Sequence, residues 1–336
     1  MQEEPLLTLV LPIYNEAENL ATFAPHVVNY SAQQNWKVIF VDDGSTDDSL
    51  KILNTVGDQT HVSILRHKIN RGYGAALKSG LAHVSTPFAA TMDADGQHRC
   101  EDISHLFECA NTNQADLVIG SRGLAFKQNW LRGLGKWLIR TMAKMLFSFN
   151  VKDLNSGIKV YRTTWVQRYL SLCPDSMAFS DVVTLIFAYR KHLIKEIPIQ
   201  IQPRQGGSSS ITLWTAIETL LEILNAIVML NPLKIFGSIS LLSILVGVIW
   251  GGYLILRFGR GVSVGSMLAI VTGLIFFTLG LLAHQISALR LENSFRDGER
   301  LYAPTYSLSN EQEIIPKRKA HQTSDSPASK PMRSQE

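Results

Sequence analysis

Cysteine is scarce. The 336 residues hold three, Cys100, Cys109 and Cys173, at spacings that fit neither a disulfide framework nor a zinc site. Free thiols in a reducing compartment are therefore expected for the globular part. Charge of one sign is also lacking, and a formal net charge of +4 gives no basis for expecting a nucleic-acid partner. The N-terminus carries Glu3, Glu4 and Pro5 before a short strand-like run, so no cleavable signal peptide is expected. Internal repeats are missing. Long uncharged apolar runs are missing too from the first 200 residues, where charged and apolar residues mix. They are concentrated later: Ile235 to Ser287 holds two arginines, no lysine and no acid.

The first half alternates between two periodicities. Leu7–Tyr14, Trp36–Val41, Val62–Arg66, Phe88–Met92 and Asp116–Ile119 are short apolar runs of strand length, and Ile194–Gln202 is a late one. Helical patterns lie between them, over Glu16–Tyr30, Asp47–Thr55, Gly74–Val84 and Glu101–Asn111. Such alternation predicts an α/β fold with a mainly parallel sheet and helices on both faces. Ligands of such sheets bind beyond the carboxyl ends of the strands, near a switch in strand order. Two acidic clusters, at Asp42/Asp43 and at Asp93/Asp95, fall at strand ends.

Beyond the last of these early strands, Asn129–Asn150 reads as an amphipathic helix. Arg132, Lys136, Arg140 and Lys144 recur every fourth position beside leucines, methionines, Trp130 and Trp137. That pattern suits either an anionic membrane surface or a solvated basic face. Gln205–Ser210 is a flexible Gly/Ser stretch, and Thr212–Leu230 is apolar on most sides. Ile235–Leu256 is 22 uncharged residues, which at about 1.5 Å per residue spans roughly 33 Å, against about 30 Å of hydrocarbon. Ser266–Ser287 is equally long, and the glycine-rich link Arg257–Gly265 makes the pair a hairpin with both outer ends on one side. Lys234, Arg290, Arg296 and Arg300 lie near those outer ends, against Arg257 and Arg260 in the link. The bias puts the globular domain and both termini in the cytoplasm. His284 and Gln285 sit near the end of the second span and read as interfacial tips rather than a proton path. The chain is polar from Ser307 onward, with disorder expected there.

The densest chemistry is Asp93-Ala94-Asp95-Gly96-Gln97-His98. Alternating carboxylates at a strand end can reach one hard divalent cation, with Gln97 adding a third oxygen, and all-oxygen ligation favours Mg²⁺ or Mn²⁺ over zinc. Either acid can equally cap the next helix. Asp42-Asp43-Gly44-Ser45-Thr46-Asp47 places carboxylates where a ribose or base N–H could be held, and Pro12-Ile13-Tyr14-Asn15-Glu16 ends the first strand in the same way. Asn70-Arg71-Gly72-Tyr73-Gly74-Ala75-Ala76 supplies glycines at a helix start, suited to a phosphate or simply to a tight turn.

These four motifs, in this order, resemble family-two glycosyltransferases of the GT-A fold. More narrowly they resemble polyprenyl-phosphate sugar synthases, namely dolichyl-phosphate mannose synthases and bacterial polyisoprenyl-phosphate glucosyltransferases. The resemblance runs from about Leu7 to Ser210, and the two C-terminal apolar helices match the bacterial branch. It implies a GT-A domain over 1–210, a juxtamembrane amphipathic helix over 211–233, a transmembrane hairpin over 234–288 and a polar cytoplasmic tail over 289–336.

By the same resemblance, Pro12, Tyr14, Glu16 and Asp42 hold the base and ribose of a nucleotide-sugar, with Ala94 beside them. Asp93, Asp95 and Gln97 hold Mg²⁺ or Mn²⁺. Arg122 (in Ser121-Arg122) and Arg132 face the phosphate of a lipid acceptor. Lys159 joins them from Asp153-Leu154-Asn155-Ser156-Gly157-Ile158-Lys159, where the family has arginine, and loses the planar fork of that arginine. Arg204, in Arg204-Gln205-Gly206-Gly207-Ser208-Ser209, belongs to a loop that closes over the donor diphosphate. Two further departures stand out. Ser210 occupies the place of a customary lysine, and Val182 that of a glutamate, with Asp181 one residue earlier.

The implied activity is inverting, metal-dependent transfer of one sugar from a UDP- or GDP-sugar to a polyprenyl phosphate. It would take place on an integral membrane protein, in the cell inner membrane if the source is bacterial, with membrane lipid as a partner and a homo-oligomer left open. Transfer to a diacylglycerol or ceramide hydroxyl would need a general base, with Asp153 or Asp181 as candidates. A processive polysaccharide synthase would carry a Gln-x-x-Arg-Trp signature, which is absent. A non-catalytic nucleotide-sugar-binding membrane partner would have lost a metal carboxylate, whereas both are present.

Overall fold

A computed structural model describes residues 4–121, 151, 153–200, 213–259, 262–296 and 306–307. The helix expected over 129–150, the loop at 205–210, Arg122, Arg132 and Arg204 lie outside the described residues.

The sheet is built on four parallel strands, β1 (Leu7–Ile13), β2 (Lys37–Asp42), β3 (Val62–Arg66) and β4 (Phe88–Thr91). β1 is buried along almost its whole length, as a strand covered on both faces should be. Its register sets Ile13 beside Asp42 on one flank and Val10 beside Thr91 on the other. Three further elements extend the sheet beyond β4: β6 (Lys159–Arg162), antiparallel to both β4 and β5; β5 (Leu117–Ser121); and β7 (Ile194–Pro198), parallel to β5. A two-residue strand, β8 (Tyr306–Ser307), pairs antiparallel with β3 at the far edge. The full order is β7-β5-β6-β4-β1-β2-β3-β8.

Alternation along β1 divides the core. Leu7, Leu9, Leu11 and Ile13 face α1 (Ala17–Gln33), α2 (Ser49–Val56) and α4 (Cys100–Thr112). Val10 faces the opposite way, into a core built by α3 (Tyr73–Ala82), α5 (Thr163–Tyr169) and α6 (Phe179–Tyr189). This second core also takes Ile223, Ala226, Ile227 and Leu230 from α7 (Leu213–Leu230), and Leu291 from the end of the last helix.

α8 (Pro232–Phe258) and α9 (Val264–Arg296) form the antiparallel hairpin and run somewhat past both expected spans. Pro232 at the first turn and left-handed Gly259 just past the end delimit α8. The helices meet through small residues: a Cβ on Gly273 would lie 2.5 Å from Ile244 Cγ1, and Ser243 Oγ donates to Ala269 O at 2.8 Å. Leu242, Ile249, Leu268 and Leu282 on the outer faces are exposed. Both helices are long and apolar enough to cross a membrane.

Candidate active site

The chain reverses its direction of travel across the sheet at β1, with β2 on one side and β4 on the other. The carboxyl ends of these three strands therefore converge where such sheets bind ligands. Pro12 is the penultimate residue of β1, Tyr14 and Glu16 follow it, Asp42 ends β2, and Asp93, Ala94, Asp95 and Gln97 follow β4. Both acidic clusters read from the sequence thus come to one edge.

The loops after β1 and β2 are laced together. Asn15, in left-handed conformation, donates its N–H to Ser45 Oγ at 3.1 Å and accepts from Thr46 N at 2.8 Å through its side chain. Glu16 N donates to Ser49 Oγ, and Ala17 N to Asp47 Oδ2, each at 3.0 Å. Asp47 therefore serves the start of α1. The Glu16 carboxylate is bound by Asn19 Nδ2 at 2.5 Å, while Tyr14 stands exposed at the rim.

Asp42 and Asp43 are adjacent and both buried, yet differently used. Asp43 Oδ1 meets His67 Nδ1 at 2.5 Å and accepts from Arg71 N at 3.0 Å; its Oδ2 accepts from Gly72 N at 2.8 Å. His67 continues to Ser79 Oγ at 2.8 Å. Asp43 is thus spent on the backbone entering α3. Asp42 Oδ1 accepts from Ser45 N at 3.1 Å, whereas its buried Oδ2 has no hydrogen bond among the described residues. Arg66 Nε approaches that oxygen at 3.5 Å, which gives charge compensation without hydrogen-bond geometry. A buried carboxylate oxygen left in this state is ready for a donor from outside.

In the loop after β4, Asp93, Asp95 and Gln97 are partly exposed while Ala94 and His98 turn inward. This alternation puts three oxygen-bearing side chains on the open side. Tyr73 Oη donates to Asp93 Oδ1 at 2.7 Å. Burial, then the charge and hydrogen bond of Asp93, push the Tyr73 phenol well above its ordinary pKa, so it keeps its proton and remains the donor. Across from it Gly157 packs against the other carboxylate oxygen so closely that a Cβ there would overlap Asp93 Oδ2. Gln97 N donates to Asp95 Oδ1 at 3.1 Å, an Asx-type turn that shapes the loop.

The glycines of Asn70–Ala76 serve chain packing. A Cβ on Gly72 would lie 2.5 Å from Asp175 O, and one on Gly74 would lie 2.7 Å from Ser176 O. Ala75 N donates to Asp175 O at 3.1 Å. Together with the two bonds to Asp43, this consumes backbone donors at the entry to α3 that a phosphate would need. Of the two readings the sequence left open, the tight approach of chains accounts for these glycines.

Lys159, expected to face the acceptor phosphate, stands beside Thr91 at the carboxyl end of β4. Its side chain is fully buried at the start of β6. The ammonium donates to Leu154 O at 2.9 Å, to Thr184 Oγ1 at 2.8 Å and to Ser180 O. Two of these oxygens belong to α6 and the third to the loop before β6, so the ammonium is enclosed by protein. Ser156, in the same motif, fixes the loop by donating to Gly120 O at 2.6 Å, and Asp153 N donates to Glu196 Oε1 at 3.0 Å.

Residues 8–170 match the family described as Glycosyl transferase family 2, and residues 231–289 match the GtrB C-terminal hairpin. The chain carries a family 2 glycosyltransferase domain. Among curated relatives, this glycosyltransferase is 26% identical to an undecaprenyl-phosphate 4-deoxy-4-formamido-L-arabinose transferase of Edwardsiella ictaluri, over 69% of this chain and 72% of that one. It is 26% identical to the enzyme of the same description from Sodalis glossinidius, over 88% and 92%. Among solved structures, glucosyl-3-phosphoglycerate synthase from Mycobacterium tuberculosis, in complex with phosphoglyceric acid, aligns with a TM-score of 0.53 at 14% identity, covering 66% of this chain and 80% of that one. The same enzyme in complex with Mn²⁺, UDP and glucosyl-3-phosphoglycerate aligns with a TM-score of 0.52 at 14% identity, covering 67% and 80%. At such identity these structures speak to the GT-A fold of the glycosyltransferase.

Tyr73 and His67 were not singled out from the sequence, and Asp43 was read only together with Asp42, as a carboxylate for a ribose or base. The signal for Tyr73 was present, an aromatic residue set between two glycines at a helix start, but the glycines drew the reading towards phosphate.

Proposed function

We propose that the enzyme transfers a single sugar from a UDP- or GDP-sugar to a polyprenyl phosphate at the cytoplasmic face of a membrane, with inversion at the anomeric carbon. The observation that carries this reading is the buried Asp42 Oδ2, which has no hydrogen bond among the described residues and is set across β1 from the outward-facing Asp93, Asp95 and Gln97. The curated relatives are named as transferases to undecaprenyl phosphate, and the hairpin packs its domain-side end into the catalytic core.

In this reading Asp42 takes a hydroxyl or N–H of the nucleoside, with Pro12, Tyr14 and Glu16 around it and Ala94 forming floor. Asp93, Asp95 and Gln97 would hold Mg²⁺ or Mn²⁺. Their all-oxygen set fits a hard cation. Among the described residues no group of three or more His, Cys, Asp or Glu assembles, so Gln97 would be the third protein oxygen. When bound, the cation supplies charge compensation to the departing diphosphate.

The acceptor needs little activation. A phosphate monoester has a second pKa of about 6 and is largely dianionic at neutral pH. Its oxygen bonds to the anomeric carbon from the face opposite the diphosphate, the carbon–oxygen bond to the diphosphate breaks, and the nucleoside diphosphate leaves. The obstacle is repulsion between two anions, which Arg122 and Arg132 offset on the acceptor side and Arg204 on the donor side. The buried cage of Lys159 makes it a brace for the 153–159 loop in this scheme rather than an acceptor ligand.

The test is direct. Detergent-purified protein is incubated with Mg²⁺ or Mn²⁺, polyprenyl phosphate and a panel of UDP- and GDP-sugars, and the lipids are read by mass spectrometry. A glycosylated lipid phosphate that vanishes with chelator and with Asp95→Ala is expected. Cation-independent transfer, or no product from any donor, defeats the reading.

A further inference from the structure

Asp93 is gripped from two sides by parts of the chain distant in sequence. Tyr73 holds Oδ1 at 2.7 Å, and the backbone of Gly157 lies against Oδ2. Each of these supports is itself fastened. Gly157 O accepts from Thr91 Oγ1 at 3.1 Å, at the last residue of β4. Tyr73 opens α3 between two glycines pressed onto the 174–176 backbone. That backbone is tied down by Lys78 Nζ, which donates to Cys173 O at 2.8 Å and pairs with Asp175 Oδ1 at 2.5 Å. The Ser176 hydroxyl reaches Glu222 on α7.

We infer that Tyr73 is a positioning residue: its hydroxyl fixes the rotation of the Asp93 carboxylate so that the pair Asp93/Asp95 meets a divalent cation already oriented. This rests on the metal reading under Proposed function and adds a residue to it. A partly exposed carboxylate with both torsions free must be ordered when it ligates, and a cation gains affinity when that ordering is done in advance by the fold. Hydrogen bonds to ligating carboxylates commonly alter metal affinity by about 10- to 100-fold. Gly157 acts from the other side, since any side chain there would drive the carboxylate off its present rotamer.

The test measures Mn²⁺ bound to the full detergent-solubilised chain by electron paramagnetic resonance, in saturating UDP and, separately, GDP. Wild type, Tyr73→Phe, Gly157→Ala and Asp95→Ala are compared, with thermal unfolding midpoints recorded for each. Tyr73→Phe removes one oxygen and keeps the ring in place. It is expected to weaken Mn²⁺ binding about 10-fold or more at an unchanged midpoint, and to raise the apparent KM for Mn²⁺ while kcat at saturating Mn²⁺ is retained. Gly157→Ala should show the same loss in Mn²⁺ affinity, and serves as the deciding variant if Tyr73→Phe does not fold. Wild-type Mn²⁺ affinity in a folded Tyr73→Phe protein overturns the inference while leaving the metal reading intact. Failure of the wild type to bind Mn²⁺ with either nucleotide overturns both.

Discussion

Lys159 Nζ lies 2.8 Å from Thr184 Oγ1, inside a protein core and facing α6. A buried ammonium is tolerated only where oxygens replace its water, and here two backbone carbonyls and one hydroxyl do so. Lys159→Ala strips those acceptors of their donor. At about 1–3 kcal/mol for each buried polar group left unsatisfied, the variant should lose about 3 kcal/mol. Thermal unfolding in detergent reads the change. A variant of native stability with a raised KM for polyprenyl phosphate would return Lys159 to the acceptor.

Asp42 makes the opposite prediction. Its Oδ2 has no hydrogen bond to lose within the described residues, so a change there should fall on ligand binding. Asp42→Asn keeps the shape and removes the charge. Hydrogen bonds to charged groups contribute about 1.5–3 kcal/mol, so donor affinity should fall about 10- to 100-fold while the unfolding midpoint holds. Calorimetric titration with UDP and GDP measures this.

Arg122 belongs to the acceptor side of the proposed reaction. Arg122→Ala should raise KM for polyprenyl phosphate about 10-fold or more, on the same scale of charged hydrogen bonds, and leave nucleotide affinity unchanged. Steady-state kinetics with each substrate varied in turn separates the two effects. Equal loss on both substrates would move Arg122 to the donor.

The thiols differ in reach. Burial pushes both Cys100 and Cys173 up to about 12, with the nearby Glu101 and Asp102 adding to the effect at Cys100. The reactive thiolate form is therefore rare in both at pH 8. Cys109 is partly exposed. Native protein treated with an aromatic disulfide reagent at pH 8 should modify one thiol rapidly, and denatured protein three. Mass mapping should find the rapid label on Cys109.

Strands β1 to β4 were legible because each is a short apolar run with a turn or an acid behind it, and a central parallel strand needs little else. β6 was not. It is four residues, Lys159 to Arg162, begun by a buried cation that reads as a surface group in any sequence. The carbonyls of Leu154 and Ser180 and the hydroxyl of Thr184, brought close by the fold, make that lysine an interior residue. α6 was missed as well: Phe179–Tyr189 is buried nearly all round, and its polar residues Ser180, Asp181 and Thr184 face the interior instead of marking an exposed stripe. At the site, the alternation Asp93, Asp95, Gln97 was readable from spacing alone. The division of labour between Asp42 and Asp43 was not, because it depends on His67 and on the N–H groups of Arg71 and Gly72 arriving from β3 and the start of α3.

Leu291, near the end of α9, is buried in the same core as Ile223 and Ile227 of α7 and Ala76 and Leu77 of α3. One end of the hairpin is thereby cemented to the domain. In a bilayer thicker or thinner than the hairpin's apolar length, adjustment by tilting would have to swing the whole domain, so local deformation of the lipid is the easier response. Where the hairpin spans a bilayer as proposed, the height of the sheet's open edge above the lipid would thus be set by protein packing, and a substrate drawn from the membrane would meet it at a constant elevation.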